Sequence, residues 1–480
     1  MSFIDRIRWQ CRLRPESPAL LLPGAAGTLS YGRLARHLNS VCRRLNEIGI
    51  VPGTVYGLLL DDALLQIVFT LALEELGAGT IVLHDMDVPQ DWNLGAIFSD
   101  RDALKSKWPI QRVHVNWLHG DGHDLPSDQI GGRSDDDVCR VVLTSGSTGK
   151  PKAVVFTHRT VERRIAILEF AFGGAFSRHT RILCCMALAT NVGYRFFIHA
   201  LARGGLFCIP DPAFETTARK IESYKIQTLV ASAATLGEFL TIADSDQKRF
   251  RSLELVLTGG SLLPKKLADK LRATMCSRVV NWYGVTEPGT VASAPVEALD
   301  LDNGEVGFVI PGVQADFVDP QTRMPAKDGG GTLRIRSEAV APGYFGDAGE
   351  AESFEGDAFY TADLGYLSPD GCLSIYGRSN NVINLSGDKI TLERAESLYS
   401  AAPGVRDLAA AVVTDAFGIN RIIAVIVPSA EWSEQTFRNH CERHIQRAFW
   451  PAKVVTAEAL PRAASGKIDR RMLEVLASRQ

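Results

Sequence analysis

The stretch VVLTSGSTGKPKAVVFTH, from Val141 to His158, starts apolar, becomes polar and returns to apolar. β-Branched runs interrupted by glycine predict a strand, a loop and a second strand. Glycines bring backbone amides close to a ligand, and consecutive amides form a concave site for anions. With its hydroxyls and two lysines, the loop has parts suited to polyphosphate. A flexible surface loop is the alternative interpretation.

The candidate phosphate-binding residues supply hydroxyls, backbone amides or positive charge, and they are Thr144, Ser145, Gly146, Ser147, Thr148, Gly149, Lys150 and Lys152. This loop differs from that of the P-loop NTPases. Lys150 is followed by Pro151, whereas the P-loop places there a Ser or Thr that binds magnesium.

Composition restricts the class of protein. The chain has 480 residues, 46% hydrophobic and 22% charged, with a net charge of -3. This length predicts two or three structural units. The small charge gives no electrostatic case for nucleic acid or an acidic membrane surface as a partner. Nine cysteines without CxxC spacing predict reduced thiols and a cytoplasmic location, and no apolar run approaches the roughly 18–20 residues of a membrane span.

Strand and helix patterns alternate through the first part of the chain. In the segment 29–49, Leu34, Leu38, Val41, Leu45 and Ile48 recur at helical spacing, which predicts an amphipathic helix that ends at Gly49. Such alternation is typical of α/β layers with mostly parallel sheets.

The pattern changes twice towards the C-terminus. From Gly304 onwards, short strands with frequent Gly and Pro predict a more antiparallel, β-rich subdomain. After about residue 380, two strands and helices from about Leu392 and around Phe437 to Ala448 predict a compact α+β unit of about a hundred residues.

Five motifs together resemble the adenylate-forming superfamily, which contains acyl- and aryl-CoA ligases, adenylation domains of peptide synthetases and firefly luciferase. The first is LTSGSTGKPKAV. The others follow in the family's order, and they are NWYGVTE (281–287), YTADLGYLSPDG (360–371), YGRSNNVINLSGDKI (376–390) and LPRAASGKIDRR (460–471). The resemblance covers nearly the whole chain.

The resemblance implies a fold and a domain division. The expected fold is α/β, with a large N-terminal domain of layered α/β subdomains plus a β-rich subdomain, and a small mobile α+β C-terminal domain. Residues 1–379 would bind ATP and the acyl group, and residues 380–480 would carry the catalytic lysine. Asn380 would be the hinge between the domains, and Gly387 would line the thiol tunnel.

The resemblance also implies roles at the nucleotide. Tyr283, next to Gly284, would stack on adenine, while Asn281 bonds to the edge of the base. Thr286 would lie near the α-phosphate, and Glu287 would hold Mg²⁺, for which a carboxylate is a suitable ligand.

Three further roles follow from the resemblance. Asp363 would accept both ribose hydroxyls, and Arg378 would donate to ribose or phosphate. Lys467 would bridge the α-phosphate and the attacking carboxylate, stabilising two approaching anions. A surface ion pair for Asp363 and Arg378, and a solvated lysine, are the alternatives.

The acyl pocket is less well marked. The candidates lie in the segments LATNVGYRFF (188–197), ASAAT (231–235) and TGGS (258–261), and they are Thr190, Asn191, Tyr194, Ala233, Gly259, Gly260 and Ser261. Thr190 stands three residues before Gly193, where family members often place a gating side chain. The small residues leave room for a ring or short chain, although tight helix–strand packing explains them equally well. Because segment 188–197 has no aspartate, an uncharged or acidic carboxylate is favoured over an amino acid.

Two further groups of residues each have a structural interpretation and a functional one. Arg195 is interpreted as an ion pair of the surface or core edge, with pairing to a second substrate carboxylate as the alternative. His440 and His444, with Cys441 beside them, have spacing that can bind zinc, but without an obvious third ligand they are interpreted as a solvated helix face.

The predicted function is ATP- and Mg²⁺-dependent activation of a small carboxylic acid through an acyl-adenylate, followed by transfer to CoA. CoA is favoured because the chain ends soon after Lys467, without a fused carrier domain. A ligase that loads a separate carrier protein is one alternative. An adenylate-binding protein that has lost turnover is another, because four residues depart from the family pattern: Asn380, Ala153, Ala362 and Thr332.

Overall fold

The computed structural model describes residues 2–24, 27–86, 88–89, 91–102, 104–120, 134–144, 152–172, 181–326, 331–346, 353–385, 388–414, 420–462 and 467–479. The loop residues Ser145 to Lys150 and the tunnel residue Gly387 lie outside these ranges. Backbone contacts divide the chain into two compact units. The first comprises Met1–Val230, Val285–Thr290 and Arg336–Phe359, and the second comprises Ala231–Gly284, Val291–Ile335 and Tyr360–Gln480.

These units do not follow the predicted division at residue 380, which therefore stays a prediction.

Helices and strands alternate along most of the chain. The helices are α1 (Phe3–Leu13), α2 (Tyr31–Glu47), α3 (Ala63–Glu75), α4 (His158–Ala171), α5 (Asn191–Ala202), α6 (Phe214–Ser223), α7 (Ala233–Ser245), α8 (Lys265–Thr274), α9 (Leu392–Ser400), α10 (Glu434–His444) and α11 (Arg470–Arg479).

The strands of the N-terminal half are β1 (Pro18–Leu21), β2 (Thr28–Ser30), β3 (Val55–Leu59), β4 (Gly79–Val82), β5 (Leu94–Ser99), β6 (Ile110–Arg112), β7 (Val138–Thr144), β8 (Lys152–Thr157), β9 (Arg181–Cys184), β10 (Leu206–Cys208), β11 (Thr228–Ala231) and β12 (Leu255–Gly259). The remaining strands are β13 (Val279–Val285), β14 (Gly289–Pro295), β15 (Glu305–Val309), β16 (Gln314–Val318), β17 (Gly331–Arg336), β18 (Phe354–Glu355), β19 (Ala358–Leu367), β20 (Cys372–Arg378), β21 (Val382–Leu385), β22 (Asp388–Thr391), β23 (Val405–Thr414), β24 (Asn420–Pro428) and β25 (Lys453–Thr456).

Two largely parallel sheets form the first unit. One has the strand order β6-β5-β3-β4-β7-β8, in which only β8 runs antiparallel to its neighbour. In the other, β11, β9, β10 and β1 are parallel and β2 is antiparallel to β1. This matches the alternating pattern of the sequence, because parallel strands need helical crossovers between them.

The second unit holds the antiparallel pairs predicted after Gly304. Strand β15 pairs antiparallel with both β14 and β20, and β19 pairs antiparallel with β20. Further along the chain, β23, β24 and β25 form a three-stranded sheet. Alternate residues of β24 face two apolar clusters: Ile422 and Ala424 join the cluster with α9 and α10, whereas Ile423 and Val425 join the cluster with α11. This period of two is expected of a sheet covered on both faces.

Helix α2 confirms the predicted amphipathic pattern, with one exception. Leu34, Leu38, Val41 and Leu45 are buried, whereas Ile48 is 46% exposed because it caps the C-terminus of the helix. Gly49 follows in the left-handed region, with φ of 79°. Glycine adopts this conformation without strain, which explains why the helix ends there.

The predicted bounds of α10 were wrong at both ends. The helix begins at Glu434 because the Ser433 side chain accepts a hydrogen bond from Thr436 N, and it ends at His444. Such a serine cap stabilises the first turn of a helix, so it sets the start more strongly than the apolar pattern does.

Candidate functional site

The first unit holds the ends of the predicted phosphate loop. Thr144 ends β7 and Lys152 begins β8, and the two are neighbours across this antiparallel pair. The Thr144 hydroxyl donates to the Lys152 carbonyl at 3.4 Å. The two strands predicted on either side of residues 145–151 are therefore confirmed.

Tyr344 connects the strand after this loop with the predicted metal ligand. Lys152 Nζ lies 5.6 Å from the centre of the Tyr344 ring, and the Tyr344 hydroxyl donates to Glu287 Oε1 at 2.9 Å. The backbone on either side of Tyr344 pairs with β8, through Gly343 O and Phe345 N. Sequence reasoning missed Tyr344, because only the fold brings it to Glu287.

Glu287 is a buried carboxylate, with 6% of the residue exposed. Mg²⁺ prefers oxygen ligands and usually takes one or two carboxylates together with substrate phosphates. The described part of the chain contains no group of three His, Cys, Asp or Glu residues that could hold a metal by itself. A single carboxylate therefore fits an ion that arrives with ATP. Thr286, the residue before it, is partly exposed.

The Glu287 backbone is held by a buried arginine. Arg164 Nη2 donates to the Glu287 carbonyl, and Arg164 is 2% exposed. Burial first, and the nearby Arg195 second, lower the pKa of Arg164 to about 9, whereas Glu287 acts to raise it. Arg164 thus keeps its proton near neutral pH while it is surrounded by protein.

The predicted pocket residues at the start of α5 already have structural partners. Thr190 caps the helix: its hydroxyl accepts from Gly193 N at 3.1 Å and donates to Ala187 O at 2.7 Å. The side-chain oxygen of Asn191 accepts from Arg164 Nη1 at 3.2 Å.

Tyr194 lies deeper in the first unit and is 2% exposed. Its hydroxyl donates to Glu74 Oε1 at 2.7 Å, and its ring lies against the guanidinium of Arg140. Arg140, on β7, also donates to Leu188 O at 3.2 Å. These contacts link the strand before the phosphate loop to the residues before α5, so Tyr194 has a packing role whatever its relation to the acid.

Arg195 is not an ion pair at the surface. It is 3% exposed, and Nη1 donates to the hydroxyl of Thr290. Of the two predicted locations, the surface was therefore wrong, because the apolar neighbours of Arg195 on α5 carry it into the interior. An ion pair at the core edge stays a prediction. Pairing with a second substrate carboxylate stays a prediction.

The second unit brings together three of the predicted nucleotide residues. Asp363 and Arg378 are directly opposite each other in the β19–β20 pair, and Arg378 Nε lies 3.2 Å from Asp363 Oδ1. The Tyr283 hydroxyl donates to Asp363 Oδ2. Both carboxylate oxygens thus lie against protein donors, and the contact with Arg378 is the ion pair given above as the alternative. The role of Asp363 at the ribose stays a prediction.

Asn281 lies at the other end of the same NWYGVTE motif. Its side-chain NH₂ donates to Val306 O at 2.9 Å. Its Oδ1 is buried and has no hydrogen-bond partner among the described residues. One acceptor thus remains for the predicted bond to adenine. Gly284, which follows Tyr283, ends up partly exposed near the end of β13.

Packing explains two of the predicted pocket residues in the second unit. A Cβ atom on Gly259 would lie 2.4 Å from Trp282 O, so glycine is required there for the close approach of β12 and β13. Ala233 is buried in the first turn of α7. Gly260 has φ of 83°, and both Gly260 and Ser261 are exposed.

Lys467 is exposed just before α11. A β-bridge joins Arg462 to Ile468, and Asp469 N donates to Pro461 O at 2.9 Å. Arg470 Nη1 donates to Glu396 Oε1 at 2.6 Å. These contacts attach the segment around Lys467 to the core of the second unit. Asn380 lies in a single 3₁₀ turn, Ser379–Asn381.

The α10 histidines do not form a metal site among the described residues. Their rings lie 4.9 Å apart, but His440 Nε2 is 3.0 Å from Leu398 O, and Cys441 is 3% exposed. Burial raises the pKa of the Cys441 thiol to about 11, so it stays protonated at neutral pH. A thiolate is the form that binds zinc.

His199, on α5, should make stability sensitive to acid. Burial first, and then Arg203, Arg195 and Arg6, lower the pKa of His199 from 6.5 to about 3. Between these values the unfolded chain binds a proton that the folded chain does not, so this contribution to stability is present above pH 6.5 and is lost as the pH falls towards 3. The loss amounts to about 2 kcal/mol at pH 5.

Urea unfolding of the wild type and the H199Q variant at pH 7.5 and pH 5 checks this. The wild type should lose about 2 kcal/mol more of its unfolding free energy than the variant. Equal losses in the two proteins would show that His199 is not kept neutral by its surroundings.

Comparison with known proteins now identifies the family. The family model described as AMP-binding enzyme matches residues 93–345, more than half of the chain, and the model of the AMP-binding enzyme C-terminal domain matches residues 394–467. The chain belongs to the AMP-binding enzyme family. It is an adenylate-forming enzyme and a ligase, as the five motifs indicated.

Two curated relatives of this AMP-binding enzyme differ in length. A linear gramicidin synthase of Brevibacillus parabrevis is 27% identical over 96% of this chain, but the match covers 6% of that protein. The 4-chlorobenzoate–CoA ligase of an Arthrobacter species is 23% identical over 98% of this chain and 94% of the ligase.

Solved structures confirm the fold class. The O-succinylbenzoate coenzyme A synthetase of Bacillus subtilis, in complex with AMP, is similar with a TM-score of 0.82, 20% identity and coverage of 98% of both chains. The predicted α/β fold, with a large N-terminal and a smaller C-terminal domain, is thereby confirmed. No helix within the described ranges of this AMP-binding enzyme has the length and apolar character of a membrane span.

Proposed function

We propose that this enzyme activates a small-molecule carboxylic acid with Mg²⁺ and ATP and transfers the acyl group to CoA. The observation that carries the proposal is the Tyr283–Asp363–Arg378 cluster, in segments that resemble the family's nucleotide motifs. Membership of the AMP-binding enzyme family supports ATP as the nucleotide substrate.

In the first half-reaction, a carboxylate oxygen of the acid attacks the α-phosphorus of ATP. The bond from this phosphorus to the oxygen leading to the β-phosphate breaks, and pyrophosphate leaves. Asp363 and Arg378 hold the ribose and Tyr283 orients the adenine, which fixes the α-phosphate relative to the acid. Holding reactants in this way lowers the entropic part of the barrier.

Charge neutralisation is the second contribution. Lys467 bridges the two anions as they approach, with Thr286 beside the α-phosphate, and the loop residues 144–150 with Lys152 hold the β- and γ-phosphates. Glu287 would hold Mg²⁺, with its carboxylate oriented by Tyr344. When bound, the ion neutralises charge on the leaving pyrophosphate.

In the second half-reaction, a thiol sulfur attacks the acyl carbon and AMP leaves, while the proton of the thiol passes to solvent. A rotation at Asn380 would withdraw Lys467 and bring Gly387 towards the entering thiol. Hinges are commonly a few residues that absorb the change in backbone angles.

The choice of acceptor follows the similarity to a known ligase. The 4-chlorobenzoate–CoA ligase, as its name states, makes a CoA thioester, and its similarity to this chain favours CoA. A carrier protein is the second candidate, because the linear gramicidin synthase, a much larger protein, is also similar.

Pyrophosphate release tests the first half-reaction. The purified chain with ATP and Mg²⁺ should release pyrophosphate when the correct member of a broad carboxylate panel is added. Absence of release across aromatic, short-chain and dicarboxylic acids would favour an adenylate-binding protein without turnover.

Once an active acid has been found, a second assay with the same acid identifies the acceptor of the acyl group. Added CoA should give an acyl-CoA thioester, detectable by chromatography. A thioester on a phosphopantetheinylated carrier protein, with none on CoA, would replace the first choice by the second.

A further inference from the structure

Arg164 donates hydrogen bonds to three segments that are far apart in sequence. Nε donates to Ala339 O at 3.0 Å, Nη1 donates to Asn191 Oδ1 at 3.2 Å, and Nη2 donates to Glu287 O. These acceptors belong to the segment after β17, to the start of α5 and to the turn between β13 and β14. One planar side chain therefore fixes the mutual positions of all three.

The surroundings of Arg164 explain why only arginine does this. Its guanidinium lies 4.0 Å from the centre of the Phe156 ring, in the interior of the first unit. Arginine presents several donors in a rigid fork and also stacks on aromatic rings, whereas lysine presents one compact charge. A buried charge is costly unless hydrogen bonds satisfy it, so the three acceptors and the guanidinium depend on one another.

Arg164 contacts Glu287 through the backbone carbonyl and not through the carboxylate. Arg164 bonds to the Glu287 carbonyl, which also accepts from Ala341 N at 2.8 Å, while the carboxylate accepts from Tyr344. The peptide is thus held in place without an arginine competing for the oxygens that would bind a metal.

We propose that Arg164 is a positioning residue that couples the start of α5 to the Glu287 turn, so that Mg²⁺ binding depends on Asn191 as well as on Glu287. Asn191 belongs to the predicted acid pocket, and Glu287 is the predicted metal ligand. The coupling would link the binding of the acid to the binding of the metal. This inference rests on the proposed function for one point, that Glu287 holds Mg²⁺.

The preceding residue of the helix supplies a matched control. Arg163 is also on α4, but it is exposed and pairs with Glu338 at 2.9 Å. Exposed ion pairs contribute little, so R163Q removes an arginine from the same helix without touching the buried network. R164Q removes the fork, and R164K keeps the charge without the fork.

The test measures binding and needs no knowledge of the acid. Calorimetry gives the affinity for a non-hydrolysable ATP analogue with and without Mg²⁺, and the ratio reports the gain due to the metal. R164Q should reduce this gain about tenfold or more, because hydrogen bonds to charged groups contribute more than those between neutral groups. R163Q should stay within about twofold of the wild type, as expected of an exposed ion pair.

A double-mutant cycle tests the coupling itself. N191A alone should reduce the Mg²⁺-dependent gain about threefold, and N191A added to R164Q should change nothing more, because the bond between the two residues is already lost. A normal gain in N191A, or additive losses in the double variant, would overturn the coupling.

The remaining outcomes are also decisive. If R164Q does not fold, a folded R164K with a tenfold lower gain supports the proposal, and a folded R164K with a wild-type gain overturns it. If Mg²⁺ improves analogue binding but no acid releases pyrophosphate, the proposed activity fails while the coupling is still measured. If E287Q keeps the full gain, the metal assignment fails, and the inference fails with it.

Discussion

Replacing Lys467 with alanine should slow acyl-adenylate formation by about 10²–10³-fold, the typical effect of losing one preorganised charge-stabilising group. Thioester formation from a supplied acyl-adenylate should remain near the wild-type rate. The reason is that Lys467 acts only while two anions approach each other, and this repulsion is absent from the second step. Pyrophosphate release and thioester formation, measured separately, check the prediction.

The control for this experiment is K453A, another exposed lysine of the second unit, at the start of β25. It should leave both half-reactions unchanged. Loss of both half-reactions to the same extent in K467A would contradict the account in which the C-terminal domain rotates between steps.

The second large effect is on folding, at Gly193. A Cβ atom there would lie 2.1 Å from Ala187 O, which is a backbone atom and cannot turn away. We expect G193A to lower the free energy of unfolding by about 3 kcal/mol, at the upper end of the cost of overpacking. The same change should weaken the cap of α5, because Gly193 N donates to Thr190.

Gly237, inside α7, is the matched control, because a Cβ atom there meets nothing within 4 Å. G237A should raise the unfolding free energy by about 0.5–1 kcal/mol, the usual gain for alanine over glycine in a helix. Urea unfolding of both variants makes the comparison. Similar stabilisation by both changes would contradict the packing around Gly193.

Much of the candidate site could be predicted because motif residues lie close together along the chain. Residues 281 to 287 carry the predicted base, phosphate and metal contacts within a single strand and turn. Asp363 and Arg378 sit on either side of one hairpin, so local pairing brings them together. Short stretches of this kind are visible in any single sequence.

The pocket residues were harder to predict, because the spacing of residues along the chain does not show how their side chains pack. Tyr194 and Gly259 are predicted pocket residues, the second because a small residue leaves room for the acid. Tyr194 bonds to Glu74, however, and Gly259 makes room for Trp282, as the packing alternative predicts. Both contacts are set by the fold around these residues, and neither excludes a role at the acid.

The sequence by itself determined the α/β fold class, the order of the motifs and the membership of a family of adenylate-forming ligases. These depend on hydrophobic periods and on short motifs, which are local properties of the chain. Only the tertiary structure decided that Tyr344 orients Glu287, and that Arg164 joins the Glu287 turn to Asn191. Such contacts link residues far apart in sequence, and they exist only after the sheets and helices have packed.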